Sequence, residues 1–220
     1  SSFRPSTPAT SPTRSSSAGL GVRRSFRAKA GLSHTRIGGD SGSCSPVTAS
    51  QIRWARANGF HTERLQLAQA LDPRSRDDEI ARALDAAVQA IRAGRSAIVF
   101  SAEGPDDPAV TGFDAIAQGC GLSRREAAHT VGAALAEVMR RMLDEVALQR
   151  VVVAGGDSSG DVASALDIDA LTVVAGLAPG APLCRAWSRM ARRDGLEIVL
   201  KGGQMGGEGF FGAVRDGQVG

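Results

Sequence analysis

The chain has no tyrosine, and aromatic residues make up only 4% of its 220 positions. Its core must therefore be built from Ala, Val, Leu and Ile. Cysteine is scarce as well: Cys44, Cys120 and Cys184 are odd in number, widely spaced and without a C-x-x-C pair. That excludes a disulfide framework and a cysteine zinc site, and it fits a reducing compartment. His34, His61 and His129 stand at no metal-binding spacing and read as surface or capping residues. No apolar run approaches the ~20 residues that a membrane-spanning helix needs. Ser1–Arg36 is basic but has no apolar h-region, so it is no signal peptide, and its apolar residues are too few for the amphipathic helix of a transit peptide. A cytoplasmic protein is expected. Two nucleotide motifs are absent too. There is no G-x-x-x-x-G-K-[ST], and Gly155–Gly160 lacks the G-x-G-x-x-G arrangement.

What is present divides unevenly. Residues 1–40 hold six Arg and one Lys against a single Asp, a balance of +6; with a net charge of +3, the other 180 residues carry −3. The folded part is thus mildly acidic and offers no basic patch for specific nucleic-acid binding. The same 40 residues hold nine Ser with Pro, Thr, Arg and Gly and no hydrophobic periodicity. Nothing there buries enough surface to offset the entropy of ordering it, so residues 1–40 are expected to be a disordered or non-native Ser/Arg-rich tail, and residues 41–220 the folded domain.

Within that domain, Thr48–Phe60 reads as a helix ending at Asn58-Gly59, and His61–Leu67 as a short strand. Asp77–Ala93 places Ile80, Leu84, Ala87, Val88 and Ile91 on one helical face, with acids at its start and Arg92 near its end. Ser123-Arg-Arg-Glu126 has capping-box spacing and opens a long helix. Ala97–Phe100, Val151–Ala154, Leu171–Val174 and Leu196–Leu200 read as short buried strands. Strands alternating with amphipathic helices predict an α/β fold: a mostly parallel sheet with flanking helices and glycine-rich turns. Asp106-Asp107 looks like a pair of acids, but in a Gly/Pro loop it reads as a solvated turn.

Chemistry is expected in the turns that follow the strands. Val151–Ala154 runs into Gly155-Gly-Asp-Ser-Ser-Gly160 and then a helix. Such a turn leaves backbone N–H groups pointing at one place, the helix N-terminus favours negative charge, and glycine lets the backbone approach a phosphate closely. Asp157 is the candidate magnesium ligand beside a triphosphate. Lys201-Gly-Gly-Gln-Met-Gly-Gly207 and Gly42-Ser-Cys-Ser45 are two further turns placed just before helices. In a parallel sheet all three would meet beyond the carboxyl ends of the strands, where open α/β sheets bind ligands.

Taken in order, Gly42-Ser-Cys-Ser-Pro-Val-Thr48 with Gln51-Ile52, Gly155–Gly160, Ala178-Pro-Gly-Ala-Pro182, and Leu200–Gly207 with Phe210-Phe211 resemble the C-terminal nucleotide-binding domain of the four-carbon acid sugar kinases over residues 41–217. The resemblance implies ATP, with magnesium, phosphorylating the terminal hydroxyl of an acid such as threonate, erythronate or 3-oxo-tetronate. It carries ATP contacts onto Ser43, Ser45, Gly155, Gly156, Asp157, Ser158 and Gly203. Two motifs depart from the family pattern. Asp157-Ser158 stands for Glu-Thr, and Gly202-Gly-Gln-Met-Gly206 for Ser-Gly-Asn-Phe-Gly. Family members also carry an N-terminal domain that binds most of the sugar acid; its absence here implies a chain inactive by itself, or a non-catalytic nucleotide-binding module derived from such a kinase. Out-of-frame translation or a fragment boundary would explain residues 1–40.

Overall fold

The computed structural model describes residues 35–155 and 158–218. In chain order, strand β1 (Ile37–Ser41) leads to helix α1 (Pro46–Ala57), β2 (His61–Arg64), the short α2 (Leu67–Leu71) and α3 (Arg76–Arg92). Strand β3 (Ala97–Phe100) is followed by α4 (Pro108–Thr111), α5 (Phe113–Gly119) and α6 (Arg124–Glu145). Then come β4 (Arg150–Ala154), α7 (Ser158–Ala165), β5 (Ala170–Ala178), β6 (Ala181–Trp187), β7 (Glu197–Lys201) and α8 (Phe210–Asp216).

Local chemistry explains several of the helix boundaries. Ser45 caps α1 by accepting from the Val47 amide, with Pro46 pre-set at the first helical position. The capping box of α6 is complete: Ser123 Oγ accepts from the Glu126 amide at 3.3 Å, and Glu126 returns a carboxylate to the Ser123 amide at 2.9 Å. Asp77, Asp78 and Glu79 occupy the first turn of α3 and Arg92 its last, each at the end of the helix dipole that favours its charge.

The seven strands form one sheet in the order β2-β3-β1-β4-β7-β6-β5. Neighbours from β2 to β7 run parallel; β6 and β5 join antiparallel at one edge. One face packs against α1 and α8 through Ile52, Ala55, Phe210, Phe211 and Val214. The other packs against α3, α6 and α7 through residues such as Leu84, Leu135, Met139 and Val162. No helix of the described residues is long and apolar enough to cross a membrane.

Two expectations are corrected here. Residues 37–41 are not structureless: Ile-Gly-Gly-Asp-Ser forms the fully buried β1, paired with β3 on one side and β4 on the other. A strand there counts against treating everything up to residue 40 as foreign to the domain; residues 1–34 lie outside the described part. Gly-Gly-Asp has low strand propensity, but hydrogen-bonding partners on both sides override it. Gly38 also serves the packing, since a Cβ there would stand 2.8 Å from Met142 Sδ and 2.9 Å from Leu148 Cδ1. The second correction concerns Leu171–Val174. It lies in β5, an antiparallel edge strand with Leu171 38% and Val173 57% exposed, and not in a buried parallel one. Its partner β6 is absent from the sequence reading because Pro182 and Arg185 interrupt the apolar run.

Candidate functional site

The parallel register brings the three glycine-rich turns to one edge. Ser41 pairs with Ala154 and Ala154 with Lys201, so β1, β4 and β7 end side by side. Gly42–Ser45, Gly155 and Gly202–Gly206 therefore leave the sheet from adjacent positions. They touch: the Gly155 amide donates to the Lys201 carbonyl at 3.0 Å. A Cβ on Gly203 would run into Ser43 Oγ and come within 3.1 Å of Ser45 Cβ. Gly203 is thus required by close approach of the first loop, not by its φ angle. Of the remaining sequence candidates, Gly156 and Asp157 lie outside the described residues, and Ser158 opens α7.

The serines have structural work at this edge. Ser43 Oγ accepts from the Ser45 amide at 3.2 Å, and Ser45 Oγ from the Val47 amide at 3.1 Å. Each hydroxyl proton is left available to another acceptor.

Three side chains absent from the sequence-derived site organise the 202–207 turn. Thr48 Oγ1 donates to the Gly203 carbonyl at 2.7 Å. Gln51 Nε2 donates to the carbonyls of Met205, Gly206 and Gly207 at 2.9, 3.1 and 3.0 Å. Lys201 Nζ donates to Thr48 Oγ1 and to the Gly202 carbonyl, both at 3.2 Å. With its carbonyls drawn towards α1, the turn keeps the Gly203 and Gln204 amides without a hydrogen-bond partner among the described residues. The β5–β6 hairpin tip closes the turn from outside: a Cβ on Gly180, whose φ is +73°, would stand 3.1 Å from Met205 Sδ.

Lys201 is only 1% exposed and has no carboxylate within ion-pair distance among the described residues. Burial pulls its ammonium down to about 8, and the Phe210 ring, 5.6 Å away, is its other close neighbour. The signal for it is in the chain: a lysine ending the apolar run 196–200, immediately before the glycine cluster.

Asp40 is the opposite anomaly. It is buried on β1 with neither carboxylate oxygen paired among the described residues, and burial pushes its carboxyl up to about 8. Asp107 corrects the reading of Asp106-Asp107 as a solvated turn. Its side chain is buried, forked onto Arg64 at 3.1 and 2.8 Å, and accepts from the amides of Glu103 and Ala109 at 2.7 and 2.9 Å. Burial opposes its ionisation, but the Arg64 fork and the two amides outweigh that and hold the carboxyl below its ordinary value. It caps α4 and ties β2 to the loop after β3.

Beside the Gly42–Cys44 loop and Gly155 opens a cavity of about 430 Å³ that extends between α4–α5 and the first half of α6.

Comparison with known proteins gives the family and the fold. The model of the nucleotide-binding C-terminal domain family matches residues 41–211. The 3-oxo-isoapionate kinase of Paraburkholderia graminis is 70% identical over 179 residues, covering 81% of this chain and 38% of that protein. The 3-oxo-tetronate kinase of Methylobacterium radiotolerans is 33% identical over 189 residues, covering 82% and 40%. A crystal structure of a Haemophilus influenzae protein of the DUF1537 family shares the fold, with a TM-score of 0.65 at 20% identity over 87% of this chain and 42% of that one. The chain thus spans about two fifths of the length of the curated relatives it matches. It belongs to the nucleotide-binding C-terminal domain family of the four-carbon acid sugar kinases.

Proposed function

We propose that this domain binds ATP along the edge formed by Ser43, Ser45, Gly155–Ser158 and Gly203, as the donor half of a kinase acting on a sugar-acid hydroxyl. The observation that carries the reading is the 202–207 turn. Its carbonyls are held by Thr48, Gln51 and Lys201, its foremost amides have no partner among the described residues, and Gly203 has no room for a side chain. Peptide N–H groups presented in this way suit phosphate oxygens, and the buried Lys201 cation lies directly behind them.

Bound ATP supplies the phosphoryl group. The chain's own residues position it, because phosphoryl transfer asks little covalent chemistry of a protein and much orientation and charge stabilisation. No group of three His, Cys, Asp or Glu among the described residues stands close enough to hold a metal. Magnesium is assigned to the triphosphate, with Asp157, which lies outside the described residues, as its candidate protein ligand. Since both relatives named above are kinases of 3-oxo sugar acids, the acceptor is assigned to that class. The residues that place it are assigned outside 35–218.

The test is a thermal-denaturation titration with ATP–Mg on the wild type and on Gly203→Ala. The wild-type melting temperature should climb with nucleotide concentration, as expected for a ligand that binds only the native state. The variant, its fold checked by circular dichroism, should need about tenfold more nucleotide for the same rise. A wild-type melting temperature indifferent to millimolar ATP–Mg would overturn the reading.

A further inference from the structure

We propose that the outer edge of β5 is the contact surface for a second copy of this chain, the two β5 strands pairing antiparallel across a two-fold axis. Among the described residues β5 ends the sheet with no strand beyond it. Its nine residues, Ala170–Ala178, include no charge and no proline, so it lacks the devices that keep a bare strand from pairing. The sheet's other edge has them. On β2, Glu63 is paired with Arg82 at 2.6 Å and Arg64 with Asp107 at 2.8 Å, which covers that strand with fixed charge. Around β5 the surface is apolar instead. Leu171 and Val173 stand opposite Ala186 and Cys184, which are buried in the core under α7. The apolar layer therefore runs on past the helix and ends in the open. On the other face Trp187 is 52% exposed, its indole donating to Thr172 Oγ1 at 2.8 Å, and Met190 in the next loop is 50% exposed. The register shifts of β5 begin after Val173, so Ala170–Val173 is a regular stretch ready to pair.

The occupant follows from area, symmetry and place. Leu171, Val173, Trp187 and Met190 together expose roughly 400 Å² of apolar surface, the size of patch that marks an interaction site on a soluble protein. A stable dimer buries about 800 Å² a side, and the strand backbone with its polar rim makes up the difference. An antiparallel pair centred on Thr172 is self-complementary. It sets Leu171 of each copy opposite Val173 of the other, and no like charges meet along the two strands. The patch is badly placed for a domain that presents the acceptor, which has to reach the glycine edge where the β5–β6 tip stands. Val173 and Trp187 lie five and six residues along their strands from that tip, roughly 15–20 Å away at about 3.3 Å per residue. A dimer through this edge leaves both glycine edges open.

Sedimentation equilibrium of the whole 220-residue chain tests this. The wild type should be a dimer at micromolar concentration. Val173→Lys, at an exposed position, sets two ammonium groups beside the axis and should raise the dimer dissociation constant about a hundredfold or more. Gln89→Lys, the same charge change at an exposed position on α3, should leave it unchanged. Circular dichroism of dilute samples verifies both folds. Thr172→Cys gives a second readout that does not weaken the contact: oxidation with diamide should link two copies through residue 172, well beyond any linkage of the wild type through its exposed Cys44. A folded Val173→Lys protein that dimerises as tightly as the wild type would overturn the proposal, and so would a Thr172→Cys protein linked no more than the wild type. A wild type still monomeric at about 100 µM, a concentration far above the dissociation constant of a stable dimer, would overturn it as well. That last outcome would leave the edge to the part of the longer relatives that this chain does not span.

Discussion

Replacing Asp40 with valine should stabilise the protein, and by more as the pH rises. Asp40 stands in the middle of the sheet between Val99 and Val153, with no partner for either oxygen among the described residues. Burial moves its carboxyl from an ordinary 3.8 to about 8. Between these values the unfolded chain carries an ionised group and the folded chain a protonated one, so folding takes up a proton. Stability contributed by this group is therefore lost as pH rises from about 4 to about 8. At pH 7 the loss is about 3 pH units at 1.4 kcal/mol each, roughly 4 kcal/mol, and relaxation around the site lowers that to about 2–4 kcal/mol. Valine removes the cost and matches its neighbours on the strand face. Urea unfolding of both proteins at pH 5, 6, 7 and 8, followed by circular dichroism, isolates the effect, because all other titrating groups cancel in the difference. The advantage of Asp40→Val should widen steadily from pH 5 to 8. A difference that stays constant over that range would refute the reasoning, since it would mean the carboxylate is ionised in the fold and held by a partner.

Lys201 predicts the mirror-image behaviour higher on the pH scale. Its ammonium, pulled to about 8, costs stability below pH 8, and that cost fades towards pH 10.5, so wild-type stability relative to Lys201→Met should rise by up to about 3 kcal/mol over that window; a flat difference in urea midpoints would contradict it. Arg150, 2% exposed, pairs with Glu197 at 2.6 Å and donates to the Val214 carbonyl at 2.6 Å. Arg150→Ala strands that carboxylate and should cost about 3–5 kcal/mol in urea unfolding while leaving ATP affinity unchanged, because the pair sits at the opposite edge of the sheet from the glycine turns. For activity, this chain alone should bind ATP without phosphorylating 3-oxo-tetronate, threonate or erythronate above background in a coupled ADP-release assay. Supplying the N-terminal domain of a longer relative in trans or by fusion should restore turnover, and robust turnover by the chain alone would place the acceptor site within residues 35–218.

Much of the placement of the glycine-rich turns was legible in the chain because it follows from rules that act locally. Strands before glycine turns, turns before helices and the Ser123 capping box are all encoded within a few residues. Parallel pairing then allows one arrangement only, with the turns on one edge. Side chains that act across the sequence were not legible. Thr48 and Gln51 stood in the sequence only as members of the motif that opens the first helix, with no contact assigned to them. Their role is to hold carbonyls about 155 residues further on. Asp107 likewise read as a solvated turn until Arg64, 43 residues away, met it.

The sequence by itself determined the α/β class, the glycine-rich edge and the resemblance to the sugar-acid kinase domain, since periodicity, turn residues and motif order are properties of short segments. Only the tertiary structure decided that Gly-Gly-Asp could be a central strand, that Leu171–Val174 would be an exposed antiparallel edge, and that Lys201 would be buried with no counter-charge among the described residues. Those outcomes depend on which neighbours supply hydrogen bonds and exclude water, and no local stretch of chain carries that information.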